Sequence, residues 1–187
     1  MADEPEFSPD HQALKAKERK VRLFYALWPD DATRSALVRL QAPIQGRITP
    51  AEDLHLTLVF LGAQATASLP ALQSVLAKLP PAAITLQLDC LGYFPRNGVA
   101  WAGAQHVPDA LAALNQSLLA ALAQHNIAVD QSARFKAHIT LARNAPASAA
   151  APDMTPIVWR ADHVALVQST GSAPRYRLLA SRRLEDA

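Results

Sequence analysis

The pattern His-apolar-Thr-Leu occurs twice in this chain, as His55-Leu56-Thr57-Leu58 and as His138-Ile139-Thr140-Leu141, 138 − 55 = 83 residues apart. Each copy closes the same run of local signals. Before the first, Val21–Trp28 is rich in apolar and aromatic residues, Pro29-Asp30-Asp31 reads as a helix cap, and a helix is expected from Ala32 to Gln41. Before the second, Val99–Gly103 reads as a strand, and a helix from about Pro108 places Leu111, Leu114, Leu118 and Leu122 on one stripe. A strand and a helix leading twice into one tetrapeptide constrain the chain towards a doubled unit with pseudo-twofold symmetry.

The remaining signals fill in a mixed α and β order. Leu54–Leu61 alternates as a strand and stops at Gly62, after which Leu69, Leu72, Leu76 and Leu79 share a helical face. Ile84–Cys90 and Val99–Gly103 are expected as strands joined through the turn-prone Gly92, Pro95, Asn97 and Gly98. A strand is expected at His138–Arg143, an Ala/Pro-rich loop at Ala145–Pro156, and two closing strands, Val164–Ser169 and Arg175–Ala180, around a turn at Gly171. Residues 1–20, polar and mixed in charge, read as a flexible tail, leaving residues 21–187 as a single bilobal domain.

Strand alternation puts His and Thr of each motif on one face and the flanking Leu or Ile on the other. If the two halves face each other, one cleft receives two imidazoles and two hydroxyls. That set suits a phosphodiester. In-line opening of a cyclic phosphate needs a base for the attacking water and an acid for the departing ribose oxygen, and histidines titrate in the right range for both. Thr57 and Thr140 can donate to the non-bridging oxygens, and Arg143 can add a charged planar donor. Strict alternation would place Arg143 on the face opposite His138, so this role requires the strand to end or twist. A single His-x-Thr occurs by chance in many strands; two in matched contexts do not read as coincidence.

Composition narrows the alternatives. The chain has 187 residues, a formal charge of +2 and one cysteine, Cys90. A charge so small does not fit a protein coated with duplex nucleic acid. One cysteine excludes an intramolecular disulfide and a cysteine-rich zinc site, and a reducing cytoplasm is expected. No apolar run is long enough to span a bilayer. No cofactor or metal is expected, and a monomer is the default.

With these residues in view, the chain resembles the two-histidine phosphoesterase superfamily, and within it the RNA 2′,3′-cyclic phosphodiesterase (2′-5′ RNA ligase) family. The resemblance rests on Arg22-Leu23-Phe24-Tyr25-Ala26-Leu27, on Asp53 through Gly62, and on Phe135 through Arg143, with weaker echoes at Phe94-Pro95-Arg96 and Arg175-Tyr176. It implies an α+β fold of two lobes with antiparallel sheets around a central cleft, metal-free opening of the cyclic phosphate to a 2′-phosphate, and reversible 2′-5′ ligation. It carries over His55, Thr57, His138 and Thr140 as the catalytic set and Arg143 as a phosphate ligand, with His55 as acid and His138 as base. The partners it implies are RNA 3′ ends or small cyclic nucleotides. Two positions depart from the family pattern: Ala137 where proline is common, and Gln168 where Glu is common.

Other residues carry weaker readings. Phe24 and Tyr25 can stack on a base, although an aromatic pair in a core strand more often just packs. His11, His106, His125 and His163 have no echoing partner. Arg134, Lys136, Arg182 and Arg183 can guide an RNA backbone but are equally ordinary surface charges. Two other functions remain open: a relative acting on cyclic nucleotides or 2′-5′ oligonucleotides, and a non-catalytic RNA-end binding protein.

Overall fold

A computed structural model describes residues 19–80, 82–129, 135–147 and 154–184. The expected tail (up to residue 18), Arg134 and the middle of the Ala/Pro-rich loop lie outside them. The elements are β1 (Lys20–Leu27), α1 (Asp31–Gln41), β2 (Arg47–Ile48), β3 (Leu56–Ala65), α2 (Leu69–Ala77), β4 (Ile84–Leu88), β5 (Cys90–Phe94), β6 (Val99–Gly103), α3 (Asp109–Gln124), β7 (His138–Arg143), β8 (Ile157–Ala161), β9 (His163–Ser169) and β10 (Tyr176–Arg183). Short 3₁₀ turns at Ala51–Asp53 and Thr66–Ser68 complete the order.

The main sheet has eight strands in the order β10-β9-β1-β3-β7-β6-β5, with β2 paired to β7, and all its pairings are antiparallel. It consists of two half-sheets, β10-β9-β1-β3 and β7-β6-β5 with β2 on β7, each with its motif strand at the junction. The ladder between β3 and β7 is one pair, Leu56 opposite Ile139. Those are equivalent positions of the two motifs. An antiparallel pair has a local twofold axis, so this one passes between the residues that follow His55 and His138. The doubled unit read from the sequence is the symmetry of the fold, with the lobes fused edge to edge.

Local chemistry accounts for the elements. Asp30 caps α1, its carboxylate accepting from the Thr33 amide at 2.7 Å. Leu72, Val75 and Leu76 of α2, and Leu111, Leu114, Leu118 and Leu122 of α3, are buried as one stripe each. They share one core cluster with Leu27, Leu56 and Ile139 of the sheet and Leu37 of α1. Helix α1 packs on β7 and β8, and α3 on β3, so these two helices lie on the motif strand of the other half.

Three expectations needed correction. Ile84–Cys90 is not one strand: β4 ends at Leu88 and pairs with β8 in a separate two-stranded sheet, while β5 begins at Cys90 in the main sheet. The break falls at Asp89, whose carboxylate accepts from the Gln105 amide at 2.8 Å, a contact in neither ladder. Gly92 lies inside β5, not in the connecting turn, because the ring of Trp101 on β6 covers it; a Cβ there would meet that ring at 1.9 Å. The turn is confined to residues 95–98. Finally, β8 had no expected strand, although its exposed Val158 and Arg160 alternate with buried Trp159 and Ala161.

Gly92→Ala is expected to overpack this contact and lower the unfolding free energy by about 1–3 kcal/mol, read from urea denaturation.

Candidate active site

The cleft occupies about 620 Å³ over the β3–β7 junction, and His55, Thr57, His138, Thr140 and Arg143 all line it. Continuing the Leu56–Ile139 register by one residue each way sets His55 across from Thr140 and Thr57 across from His138. Each imidazole therefore has the hydroxyl of the other motif as its cross-strand neighbour.

Arg143 reaches this face through a bulge. Along β6 and β7, Trp101 pairs with Thr140 but Ala100 pairs with Ala142, so β7 carries one extra residue at Leu141. The burial pattern from His138 to Arg143 records the reversal: two consecutive buried positions, then Arg143 back on the cleft side. The same bulge occurs in β3. Ala26 pairs with Thr57 and Tyr25 with Val59, leaving Leu58 extra and turning Phe60 into the cleft. Phe60 and Arg143 are thus equivalent, each five residues beyond its histidine.

Buried amides hold both bulges. Gln41, at the end of α1, donates to the Leu141 carbonyl at 2.9 Å and the Thr49 carbonyl at 2.8 Å, and Asn115 of α3 donates to the Leu58 carbonyl at 2.8 Å. Both side chains belong to the few buried polar groups of the core. Each helix therefore clamps the bulge of the opposite half.

The histidines are oriented alike. His55 Nδ1 lies 2.6 Å from the Asp53 carbonyl, and His138 Nδ1 lies 2.8 Å from the Lys136 carbonyl. A carbonyl only accepts, so Nδ1 carries the proton and Nε2 is the titrating nitrogen of both rings. Their surroundings differ. Phe24 and Trp28 flank the small Ala26 on β1, and both stack on His55, with centroids at 5.0 and 5.3 Å; Tyr176 meets its edge at 5.0 Å. His138 has Phe94 edge-on at 5.0 Å and Trp101 at 6.3 Å, with the Lys136 ammonium 4.1 Å from the Trp101 centroid.

Burial pushes His55 from 6.5 down to about 4; the Asp53 carbonyl opposes this, and the charges of His138 and Arg143 add to it. His138 is also lowered, mainly by burial, against the Lys136 carbonyl and with the charges of Lys136 and Arg143. Both rings therefore favour the neutral form at neutral pH. An anion bound between them favours the imidazolium form.

Of the two aromatic residues proposed for stacking, Phe24 lines the cleft but has His55 against it. Tyr25 does not line it. Its ring is fully buried on the core face and its hydroxyl donates to the Leu72 carbonyl at 2.7 Å, so no face is open to a base. The open aromatic is Phe60, 66% exposed, which sequence reading passed over although its offset from His55 repeats that of Arg143. Arg22 and Arg175 also line the cleft. Arg22 belonged to the first segment that carries the resemblance and Arg175 to a weaker echo, and neither was given a role there. Among the described residues no group of three or more His, Cys, Asp or Glu is placed to hold a metal ion, and no helix is long and apolar enough to cross a membrane.

The family model of the 2′-5′ RNA ligase superfamily matches residues 29–173. The chain belongs to this superfamily. It is 36% identical over 165 residues to an RNA 2′,3′-cyclic phosphodiesterase of Thermus thermophilus, spanning 80% of this chain and 82% of that protein. With the Escherichia coli protein of the same name it shares 31% over 135 residues, 70% and 76% of the two chains. Among solved structures, the apo form of E. coli LigT superposes with a TM-score of 0.77 at 28% identity, covering 89% of this chain and 99% of LigT. TT0787 of T. thermophilus superposes at 0.71 with 31% identity over 88% and 98%. The superfamily match and the structural neighbours agree with the α+β fold that the resemblance implies.

Two measurements check the geometry. Gln41→Met is expected to cost about 1–3 kcal/mol in urea unfolding, because it removes the buried hydrogen bond to the Leu141 carbonyl and the part-buried one to the Thr49 carbonyl. In an NMR titration His55 is expected to titrate near pH 4 and His138 below 6.5. A depressed folded pKa means that the stability from keeping the rings neutral is complete above 6.5 and is lost as pH falls through the folded values. His55→Ala should therefore lose less Tm than wild type between pH 7 and about 4.

Proposed function

We propose that this chain is an RNA 2′,3′-cyclic phosphodiesterase that opens the terminal cyclic phosphate to a 2′-phosphomonoester. The observation that carries the reading is the pair of Nε2-presenting histidines on one cleft, each opposite the other's threonine, in a chain of the 2′-5′ RNA ligase superfamily. The relatives named for this activity, and the LigT structures with 3′-AMP, ATP and NADP+, point to substrates that join phosphate to a nucleoside.

In this reading the non-bridging oxygens sit between Thr57, Thr140 and the Arg143 guanidinium, which keep the negative charge compensated as phosphorus becomes five-coordinate. One imidazole takes a proton from water as its oxygen attacks phosphorus; the other gives a proton to the 3′-oxygen as the P–O3′ bond breaks. Water is consumed and a 2′-phosphate and a 3′-hydroxyl result. The aromatic layer of Phe24 and Phe60 adjoins His55, which favours placing the nucleoside, and hence the departing ribose oxygen, on that side. His55 is then the acid and His138 the base in hydrolysis. In 2′-5′ ligation a 5′-hydroxyl takes the place of water and the roles stay the same; they exchange when the reaction runs backwards.

The test is hydrolysis of adenosine 2′,3′-cyclic phosphate with chelator present. Wild type is expected to release the 2′-phosphate, and His55→Ala and His138→Ala to lose about 10²- to 10⁴-fold in kcat/KM. The profile of kcat/KM should be bell-shaped with its optimum on the acid side of 6.5, because both histidines of the free enzyme are held below that value. Undiminished turnover in either variant would overturn the two-histidine mechanism.

A further inference from the structure

Arg22 and Arg175 line the cleft but take no part in the reaction as derived above. Their place follows from the order of side chains on β1. Trp28, Ala26, Phe24 and Arg22 occupy alternate positions of one face, His55 lies against Phe24 and Trp28, and Phe24 pairs directly with Phe60. Arg22 is the next position outward, about 13 Å along the strand from Ala26.

At that level Arg22 pairs with Ser169 on β9, and Ser169 pairs with Tyr176 on β10, next to Arg175. All four line the cleft. Arg175 shares its charge with Asp53, Nε to carboxylate 3.9 Å. Arg22 is exposed and, among the described residues, has no carboxylate in ion-pair range.

The cleft is therefore layered. Thr57, Thr140 and Arg143 form an anion site between the histidines, Phe60 offers a flat apolar face beside it, and Arg22, Ser169 and Arg175 form a second group of donors beyond. Phosphate, nucleoside, phosphate is the order of groups in one nucleotide unit of an RNA end. We infer that Arg22, Ser169 and Arg175 form a second phosphate subsite, which takes the phosphate on the 5′ side of the terminal nucleoside.

This rests on the proposed activity for its orientation and makes the substrate a 5′-phosphorylated nucleotide or an oligonucleotide end, in preference to a bare nucleoside cyclic phosphate. Ser169 supplies a hydroxyl donor, and the arginines supply planar forks suited to phosphate oxygens.

Calorimetric binding of product analogues tests the subsite without turnover. The ligands are adenosine 2′-monophosphate, adenosine 2′,5′-bisphosphate and the diadenosine dinucleotide ending in a 2′-phosphate, which separate a 5′-monoester from a 5′-diester. Wild type is expected to bind the two 5′-phosphorylated ligands about tenfold or more tightly than the monophosphate. Arg22→Gln should remove most of that ratio, Arg22→Lys should keep part of it, and Arg175→Gln should reduce it.

Equal affinity of wild type for all three ligands would overturn the subsite. So would a uniform weakening of all three by Arg22→Gln, since that is the effect of general charge and not of a second contact. Hydrolysis of the corresponding cyclic phosphates is run alongside. A binding preference without turnover would count against the activity and leave the subsite standing; turnover without preference would do the reverse.

Discussion

The site depends on two β-bulges, one at Leu58 and one at Leu141, each with a buried amide on its carbonyl. A regular strand would point the fifth residue after each histidine into the core or away from the cleft. One inserted residue reverses that parity, and Gln41 and Asn115 hold the insertion in place from the helices of the opposite halves. A polar side chain buried in an apolar core is costly unless hydrogen-bonded, so these amides also lock the two half-sheets in one relative position. The direct ladder between the motif strands, a single residue pair, would be a weak hinge without them.

The symmetry that builds the cleft is broken where chemistry and recognition require it. Equivalent positions hold Arg143 on one side and Phe60 on the other, so the same backbone device delivers a cation to one end and a flat apolar surface to the other. The partners of the histidines follow the same division. Ala26 leaves room for His55 between Phe24 and Trp28, whereas the equivalent position in the second half is Trp101, made possible by Gly92 beneath it. The two histidines, proposed above as acid and base, are thereby given different environments by one repeated fold. Both are lowered mainly by burial.

The elements with strong periodicity were legible in advance. Helix α3 announced itself through Leu111, Leu114, Leu118 and Leu122, and β7 through His138 to Leu141, because both patterns report a single buried face. What failed had weak or shared signals. Ile84–Cys90 alternates apolar and polar residues throughout, Asp89 included, and so hides the change of sheet at Asp89, and Gly92 reads as a turn residue when its role is to leave space for Trp101. Tyr25 and Phe24 are adjacent and aromatic, yet alternation sends one into the core and one to the cleft wall.

The sequence alone determined the doubled unit, the placement of His and Thr on one face of each motif strand, and the kind of chemistry two imidazoles and two hydroxyls can perform, because these follow from side-chain periodicity and intrinsic acidity. Tertiary structure alone decided that Arg143 and Phe60 enter the cleft, that Nε2 is the titrating nitrogen, and that Arg22 and Ser169, paired across β1 and β9, both line it. The physical reason is common to all three. A bulge, a ring-to-carbonyl hydrogen bond and a row of residues across strands are properties of register and contact between distant segments, and local pattern carries no record of them.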